Sequence, residues 1–212
     1  MVGTDPIGRR RTARLFTRGE GDGAVSESAW AGVAATVDGV PVSLDEVDAR
    51  EASLRASRIA SSLPRPGTSE GRQLRRWLTQ LLVAERVVAT EGAARGLNVV
   101  DAPPEGEVLP DMTVRLEIGS VAASVLADPL ARALFAEMTA SIDISDDQVA
   151  SYQERNPLRF SNTAEAAAHL RAAARRRAFR LWLDARCAAA VELAPGYEHP
   201  GDPRQPDNTH RH

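Results

Sequence analysis

The sequence predicts a mainly α domain that is joined at its two ends by a small β element. Apolar residues make up 43% of the 212-residue chain and aromatic residues only 4%, so the core must consist mostly of leucine, valine and alanine. Leucine and alanine favour helix. Two short β-type runs near the start of the domain and one near its end supply the expected strands.

Composition divides the chain into three parts. Residues 1–30 are rich in glycine, arginine, serine and threonine without periodicity, and we expect a disordered arm there. Residues 31–195 carry the periodic patterns of the domain. Residues 196–212 form a tail rich in histidine, proline and aspartate. The length fits one domain with tails.

The first predicted element is a hairpin in "AATVDGVPVS", residues 34–43. The dipeptide Asp38-Gly39 suits a two-residue type I′ turn. Pro41 has no N–H to donate to a ladder, so its strand should lie at an edge. Ser43 and Glu46 match a capping box, which begins a helix in "SLDEVDAREASLRASRIA", residues 43–60.

Helical patterns follow along the rest of the chain. Over residues 69–95 apolar residues recur mostly at three- and four-residue steps, and Gly96 ends this helix. Residues 112–127 are expected to form one helix, and Asp128-Pro129 begins another over residues 129–140. A second capping box begins at Ser145. The stretches 61–69 and 99–111 are predicted to be irregular.

The end of the domain is expected to meet its beginning. A long helix is predicted from Thr163 to Ala188, followed by a short strand in "AAVEL", residues 189–193. A strand needs a partner, and the hairpin at residues 34–43 is the candidate.

Several of these motifs carry a resemblance to a known family. The segments "VDGVPVSLDEVDAR" and "RQLRRWLTQLLVAERVVATEGAARGLNV" resemble the N-terminal chaperone domain of SurA/parvulin-type foldases. The segment "ISDDQVASYQERNPLRF" resembles the helix that leads into the family's prolyl-isomerase domain, and "AAARRRAFRLWLDARCAAAVEL" resembles its returning helix and closing strand. The resemblance covers residues 34–193 and implies a helical fold like that of the SurA N-terminal and trigger-factor C-terminal chaperone domains.

The sequence departs from this family chiefly in the missing catalytic domain. The returning helix follows almost directly after Phe160, so the parvulin domain has no room and none of its catalytic residues can be carried over. The tail "HPGDPRQPDNTHRH" resembles the ends of actinobacterial proteins associated with polyketide pathways. The resemblance therefore implies a non-catalytic, chaperone-like protein whose partner is a protein client or a pathway enzyme. Residual prolyl isomerisation is a third alternative.

The apolar region 112–140 is a candidate client-binding surface, because chaperone-like domains can line grooves with such residues. The same residues could instead belong to the core, and the pattern favours the core. The candidates are Leu116, Ile118, Val121, Val125, Leu134, Phe135 and Met138.

The tail suggests a second function from a different class, a small metal-binding protein or metalloenzyme. His210 and His212 project to the same side of an extended chain, and imidazole and carboxylate ligands suit Zn²⁺ or another first-row divalent ion. The remaining candidate ligands are His199, Asp202 and Asp207. The alternatives are a docked strap that packs through Tyr197, and a disordered end.

Other residues have simpler interpretations. Cys187 is the only cysteine and is interpreted as a small core residue, and His169 as a surface histidine. The arginines between 171 and 180 are interpreted as a solvated helix face, with a site for phosphate, an acyl-carrier protein or nucleic acid as the alternative. The net charge of −3 and the scarcity of aromatic residues argue against nucleic acid. No apolar run is long enough to span a membrane, so a cytoplasmic protein is expected.

Overall fold

The computed structural model describes residues 30–202. Within this range the chain forms eight α-helices and one three-stranded antiparallel sheet, which confirms the predicted fold class. The strands are β1 (Val33–Val37), β2 (Val40–Ser43) and β3 (Val191–Leu193). The helices are α1 (Leu44–Arg55), α2 (Ser69–Ala94), α3 (Glu105–Val108), α4 (Met112–Ile118), α5 (Ser120–Val125), α6 (Pro129–Met138), α7 (Asp146–Arg155) and α8 (Thr163–Ala190). The arm expected over residues 1–30 lies outside the described residues, apart from Trp30.

The sheet joins the two ends of the domain. Asp38 and Gly39 both have positive φ, 48° and 78°, as a type I′ turn requires, and this turn connects β1 to β2. The strand order is β2-β1-β3, so the strand that contains Pro41 lies at an edge as predicted. Strand β3 pairs antiparallel with β1, with Ala35 opposite Leu193. The predicted pairing of the hairpin with the end of the chain is therefore confirmed.

Short polar side chains begin most of the longer helices. At the start of α1, the Ser43 hydroxyl accepts from the Glu46 backbone N–H, and the Glu46 carboxylate accepts from the Ser43 backbone N–H. Ser145 and Gln148 make the same reciprocal pair at the start of α7. Both capping boxes were predicted, and each satisfies two N–H groups that a helix terminus leaves without a partner.

Helix α2 forms the centre of the core. It packs against α1, α5, α6, α8 and β1, and its buried face follows the predicted apolar periodicity. Complete burial of one leucine or valine side chain contributes about 1.5–3 kcal/mol. Phe179 of α8 is fully buried and meets Phe135 of α6 edge-to-face, with ring centroids 5.7 Å apart.

Three predicted segments differ from the structure. The single helix expected over residues 112–127 is wrong, because Gly119 adopts a φ of 93° and separates α4 from α5. The helix expected over residues 43–60 ends at Arg55, where the chain turns into a short 3₁₀ segment at Ala60–Ser62. The stretch 99–111, expected to be irregular, contains the short helix α3. Each error concerns an interruption or a single turn rather than a whole element.

Candidate functional site

An open cavity of about 600 Å³ lies between four parts of the fold. Its walls come from the middle of α2, the break between α4 and α5, the second half of α8, and β3. Apolar side chains form most of these walls: Ala84, Ile118, Val121, Ala122, Leu183, Ala188, Val191 and Leu193. A concave apolar site with a few polar groups is the usual form of a binding pocket.

The helix break at Gly119 shapes one wall of this cavity. A φ of 93° is open to glycine but strained for other residues. At this point the chain leaves the direction of α4 and begins α5, so that Ser120, Val121 and Ala122 line the cavity. The Ser120 hydroxyl accepts a hydrogen bond of 3.0 Å from the indole N–H of Trp77, which ties the start of α5 to α2.

Besides Ser120, three polar side chains on α2 and α8 line the cavity. The Gln80 side-chain nitrogen is buried and has no hydrogen-bond partner among the residues that the structure describes. Arg180 and Asp184, one helical turn apart, approach within 3.6 Å and remain about half exposed. An exposed pair of this kind contributes less than about 1 kcal/mol, so a ligand can replace it at little cost.

Cys187 lines the same cavity but is not an activated nucleophile. Burial, with a smaller contribution from the Asp184 carboxylate, raises the pKa of its thiol to about 11, and the nearby Arg186 only partly opposes this rise. The thiolate is the reactive form, so the group is protonated and unreactive at neutral pH. Cys187 packs against the main core, in agreement with its interpretation as a small hydrophobic residue.

The first residues of the tail are docked on the domain. The Gly196 carbonyl accepts from the Arg76 guanidinium at 3.0 Å, and the Tyr197 backbone N–H donates to the Ala194 carbonyl at 3.0 Å. The Tyr197 ring packs on a small cluster that contains Val47 and Leu78. Up to residue 202 the tail therefore has the form of the packed strap that the sequence left open as an alternative.

The predicted metal ligands are only partly within the described range. His199 faces the apolar cavity, where its Nδ1 accepts a hydrogen bond of 3.0 Å from the Gly201 N–H. The Asp202 backbone N–H donates to the His199 carbonyl. Between residues 30 and 202, no three histidine, cysteine or acidic side chains are placed to hold a metal ion. Asp207, His210 and His212 lie outside the described residues, so the metal site stays a prediction.

The predicted client-binding residues divide between core and surface. Ile118, Val125, Leu134 and Phe135 are each at most 4% exposed and belong to the main core, which was the favoured interpretation. Val121 and Met138 are partly buried against that core, and only Leu116 is open, at 76% exposure. Ile118 and Val121 line the cavity, whereas the other five residues do not.

The arginines of α8 do not all lie on a solvated face. Arg171 is exposed and pairs with Asp143 at 2.7 Å, as that interpretation expects. Arg175 donates to Thr139 at 2.9 Å and lies over the Phe135 ring. Arg176 is only 7% exposed, so its assignment to a solvated face is wrong. The spacing of Arg176 could have indicated its burial, because it precedes the core residues Phe179 and Leu183 by three and seven positions and so shares their face of the helix.

His169 occupies an aromatic cluster rather than an open surface. Its ring lies 5.1 Å from the Phe160 ring and 6.0 Å from the Tyr152 ring, measured between centroids. Burial is the largest cause of a lowered pKa for His169, and Arg159 and Arg176 act in the same direction. No pattern in the sequence predicts this cluster, because its members come from α7, α8 and the loop between them.

Fold and cavity together define a mainly α protein with a small sheet and an open, largely apolar binding cavity. Residues 33–70 match the model of a family of unknown function (DUF7158), and the match spans β1, β2, α1 and the connection to α2. No curated protein and no solved structure matches the chain. Among the described helices, none combines the length and apolar character needed to cross a membrane.

Proposed function

We propose that the protein is a non-catalytic, chaperone-like binding protein that holds an apolar segment of a partner protein in the cavity between α2, α5, α8 and β3. The observation that carries this proposal is the apolar lining of an open cavity of about 600 Å³. Water in contact with such walls is displaced favourably by apolar side chains, at about 25 cal/mol per Å² of apolar surface buried.

The polar groups in the cavity suit a peptide better than a hydrocarbon. The buried Gln80 side-chain nitrogen lacks a partner within residues 30–202, and a backbone carbonyl of a bound segment would supply one. Arg180 and Asp184 at the edge are exposed and available to polar backbone groups. The resemblance of residues 34–193 to SurA-type chaperone domains supports the same class of partner.

A capped apolar tetrapeptide tests the proposal. The probe consists of alanine, leucine, valine and leucine, with an acetyl group at its N-terminus and an amide at its C-terminus. Ala188 is exposed, so Ala188→Trp narrows the cavity without entering the core. Ala185 is exposed on the same helix but does not line the cavity, which makes Ala185→Trp the matched control.

We expect the unmodified protein to bind the peptide and to slow the aggregation of a heat-unfolded model protein. The A188W variant should bind the peptide at least about fivefold more weakly, and the A185W variant should bind it as the unmodified protein does. Isothermal titration calorimetry measures the affinities and light scattering the aggregation. Absence of both peptide binding and aggregation suppression would overturn the proposal.

A further inference from the structure

A second cavity, of about 390 Å³, lies between the end of α4 and the middle of α8. Arg176, Arg177 and Arg180 line its α8 side. Glu117 and Ile118 line its α4 side, and Leu181 and Asp184 complete its rim. This cavity is referred to below as the arginine pocket.

Arg176 is the central residue of the arginine pocket. Its side chain is buried to 7% exposure, yet no hydrogen bond and no carboxylate within 4 Å is found for it in the part of the chain that the structure describes. Other arginines of α8 do have carboxylate partners. Arg171 pairs with Asp143, and Arg186 pairs with Glu91 at 2.5 Å. Withdrawing most of a charged side chain from water without a partner is costly, so an anion in the pocket would offset part of that penalty.

The electrostatic surroundings of Arg176 agree with this description. Burial lowers the pKa of its guanidinium relative to the ordinary value, and the more distant Glu117 and Asp111 oppose that shift. An arginine nevertheless stays charged at neutral pH. His169 is close enough to be influenced by this charge. The pocket therefore offers a permanent, partly desolvated positive charge.

The charges around the pocket select the type of anion. Three arginines face two carboxylates, those of Glu117 and Asp184, which leaves a net charge of +1. This balance suits a monovalent carboxylate, whereas a doubly charged phosphate would meet repulsion from both acidic side chains. A planar guanidinium also binds a carboxylate through two parallel hydrogen bonds.

The arginine pocket and the apolar cavity are neighbours. Ile118, Arg180 and Asp184 line both of them, so a single ligand can occupy the two spaces. Leu181, which is 57% exposed, adds an apolar contact at the rim. An occupant of both spaces needs an apolar part and a negative charge close to it.

We propose that the arginine pocket binds a carboxylate group of the same apolar segment that the neighbouring cavity holds, with Arg176 as the principal partner of that carboxylate. This inference rests on the proposed binding function and deepens it, because it assigns a chemical class to the segment: apolar side chains next to a free carboxylate. The carboxylate belongs either to the end of a chain or to an acidic side chain.

Matched peptides test this assignment. The capped tetrapeptide described above is compared with the same acetylated tetrapeptide carrying a free C-terminal carboxylate, and with an amidated version in which glutamate replaces valine. We expect the unmodified protein to bind at least one of the two acidic peptides roughly 10-fold more tightly than the neutral amide. The tighter of the two identifies the source of the carboxylate.

Substitutions connect this preference to the pocket. Arg176→Met removes the charge and keeps a similar apolar volume. This variant should bind the acidic peptide only as tightly as the neutral amide, and its affinity for the amide should be unchanged. Arg171→Met, on the exposed part of the same helix, is the control. It should leave unchanged the affinity ratio, meaning the affinity for the acidic peptide divided by that for the neutral amide. If R176M does not fold, Arg180→Gln at an exposed position provides the test. In this variant the acidic peptide should bind only about threefold more tightly than the neutral amide.

The outcomes separate the two proposals. Equal affinity for acidic and neutral peptides would overturn the carboxylate assignment and leave the apolar binding function standing. Binding of none of the peptides would overturn both. Displacement of the acidic peptide by inorganic phosphate but not by acetate would show a phosphate site and also overturn the carboxylate assignment. An unchanged ratio in R176M and R180Q would place the carboxylate elsewhere.

Discussion

His169 shows how the environment of one residue sets a pH dependence. Burial lowers its pKa, and the nearby charges of Arg159 and Arg176 lower it further, while only Glu117 acts in the opposite direction. The protonated form is therefore less favourable in the folded protein than in the unfolded chain, where the pKa is about 6.5. Because the unfolded chain binds the proton more readily, acidification through this range favours unfolding.

We expect the free energy of unfolding to decrease as the pH falls from 7.5 to 5.5. In the His169→Phe variant, which keeps an aromatic ring beside Tyr152 and Phe160, this decrease should be clearly smaller. Urea unfolding at several pH values measures the difference. The acidic groups with lowered pKa values, such as Glu46, Glu51 and Glu91, titrate below this range and do not disturb the comparison. An identical pH slope in both proteins would refute the role of His169.

At the same scale, the turn between β1 and β2 could be predicted from two adjacent residues. Asp38 and Gly39 adopt the positive φ values that a type I′ turn demands, and few other dipeptides do so at low cost. The burial of Arg176 could not be predicted from adjacent residues, because only its spacing from Phe179 and Leu183 pointed to it. Its burial depends on the packing of α4 against α8, two helices that are separated in the sequence by α5, α6 and α7.

At the scale of elements, helix starts are governed by residues within three positions of one another. The capping boxes at Ser43 and Ser145 and the N-cap at Asp128, followed by Pro129, all occur where they were predicted. The interruption at Gly119 was missed. Glycine inside an apolar periodic run is compatible with a continuous helix, and the decision here depends on how α4 and α5 pack against α2 and α8.

The capping box of α1 should be measurable as stability. Ser43→Ala removes the hydroxyl that accepts from the Glu46 N–H and weakens the reciprocal pair, so we expect the free energy of unfolding to fall by about 1 kcal/mol. Ser43→Asp retains an acceptor and should lose much less. Ser53→Ala, at an exposed position within α1, is the control and should be nearly neutral. Urea unfolding provides the values, and equal losses for S43A and S53A would contradict the cap.

At the scale of the whole molecule, β3 connects the end of the chain to its beginning. It pairs with β1, and the Ala194 N–H donates to the Ala34 carbonyl at 3.0 Å. Arg186 of α8 adds contacts to Glu91 of α2 and to Asp38 in the hairpin turn. The docked segment with Tyr197 then covers the cluster that contains Val47 and Leu78.

Removal of this connection should lower the stability of the whole domain. A chain that ends at Ala190 lacks β3 and Tyr197, whereas a chain that ends at Asp202 keeps both, so their comparison isolates residues 191–202. We expect the shorter chain to unfold at a lower temperature, and its free energy of unfolding should be smaller by roughly 2 kcal/mol or more. The reason is that β1 loses one hydrogen-bonded neighbour and the domain loses the packing of Tyr197. Calorimetry measures the difference. Equal transition temperatures would show that β3 contributes little.

The mainly α class, the hairpin with its turn, the helix caps and the pairing of the last strand with the first could all be predicted from the amino-acid sequence. These features depend on local chemistry and on the need of a short strand for a partner. The position of the cavity, the division of a helix at Gly119 and the burial of Arg176 beside Glu117 depend on how the helices pack together. The physical reason is that cavities and burial arise from side chains far apart in sequence, whereas caps and turns form within a few residues.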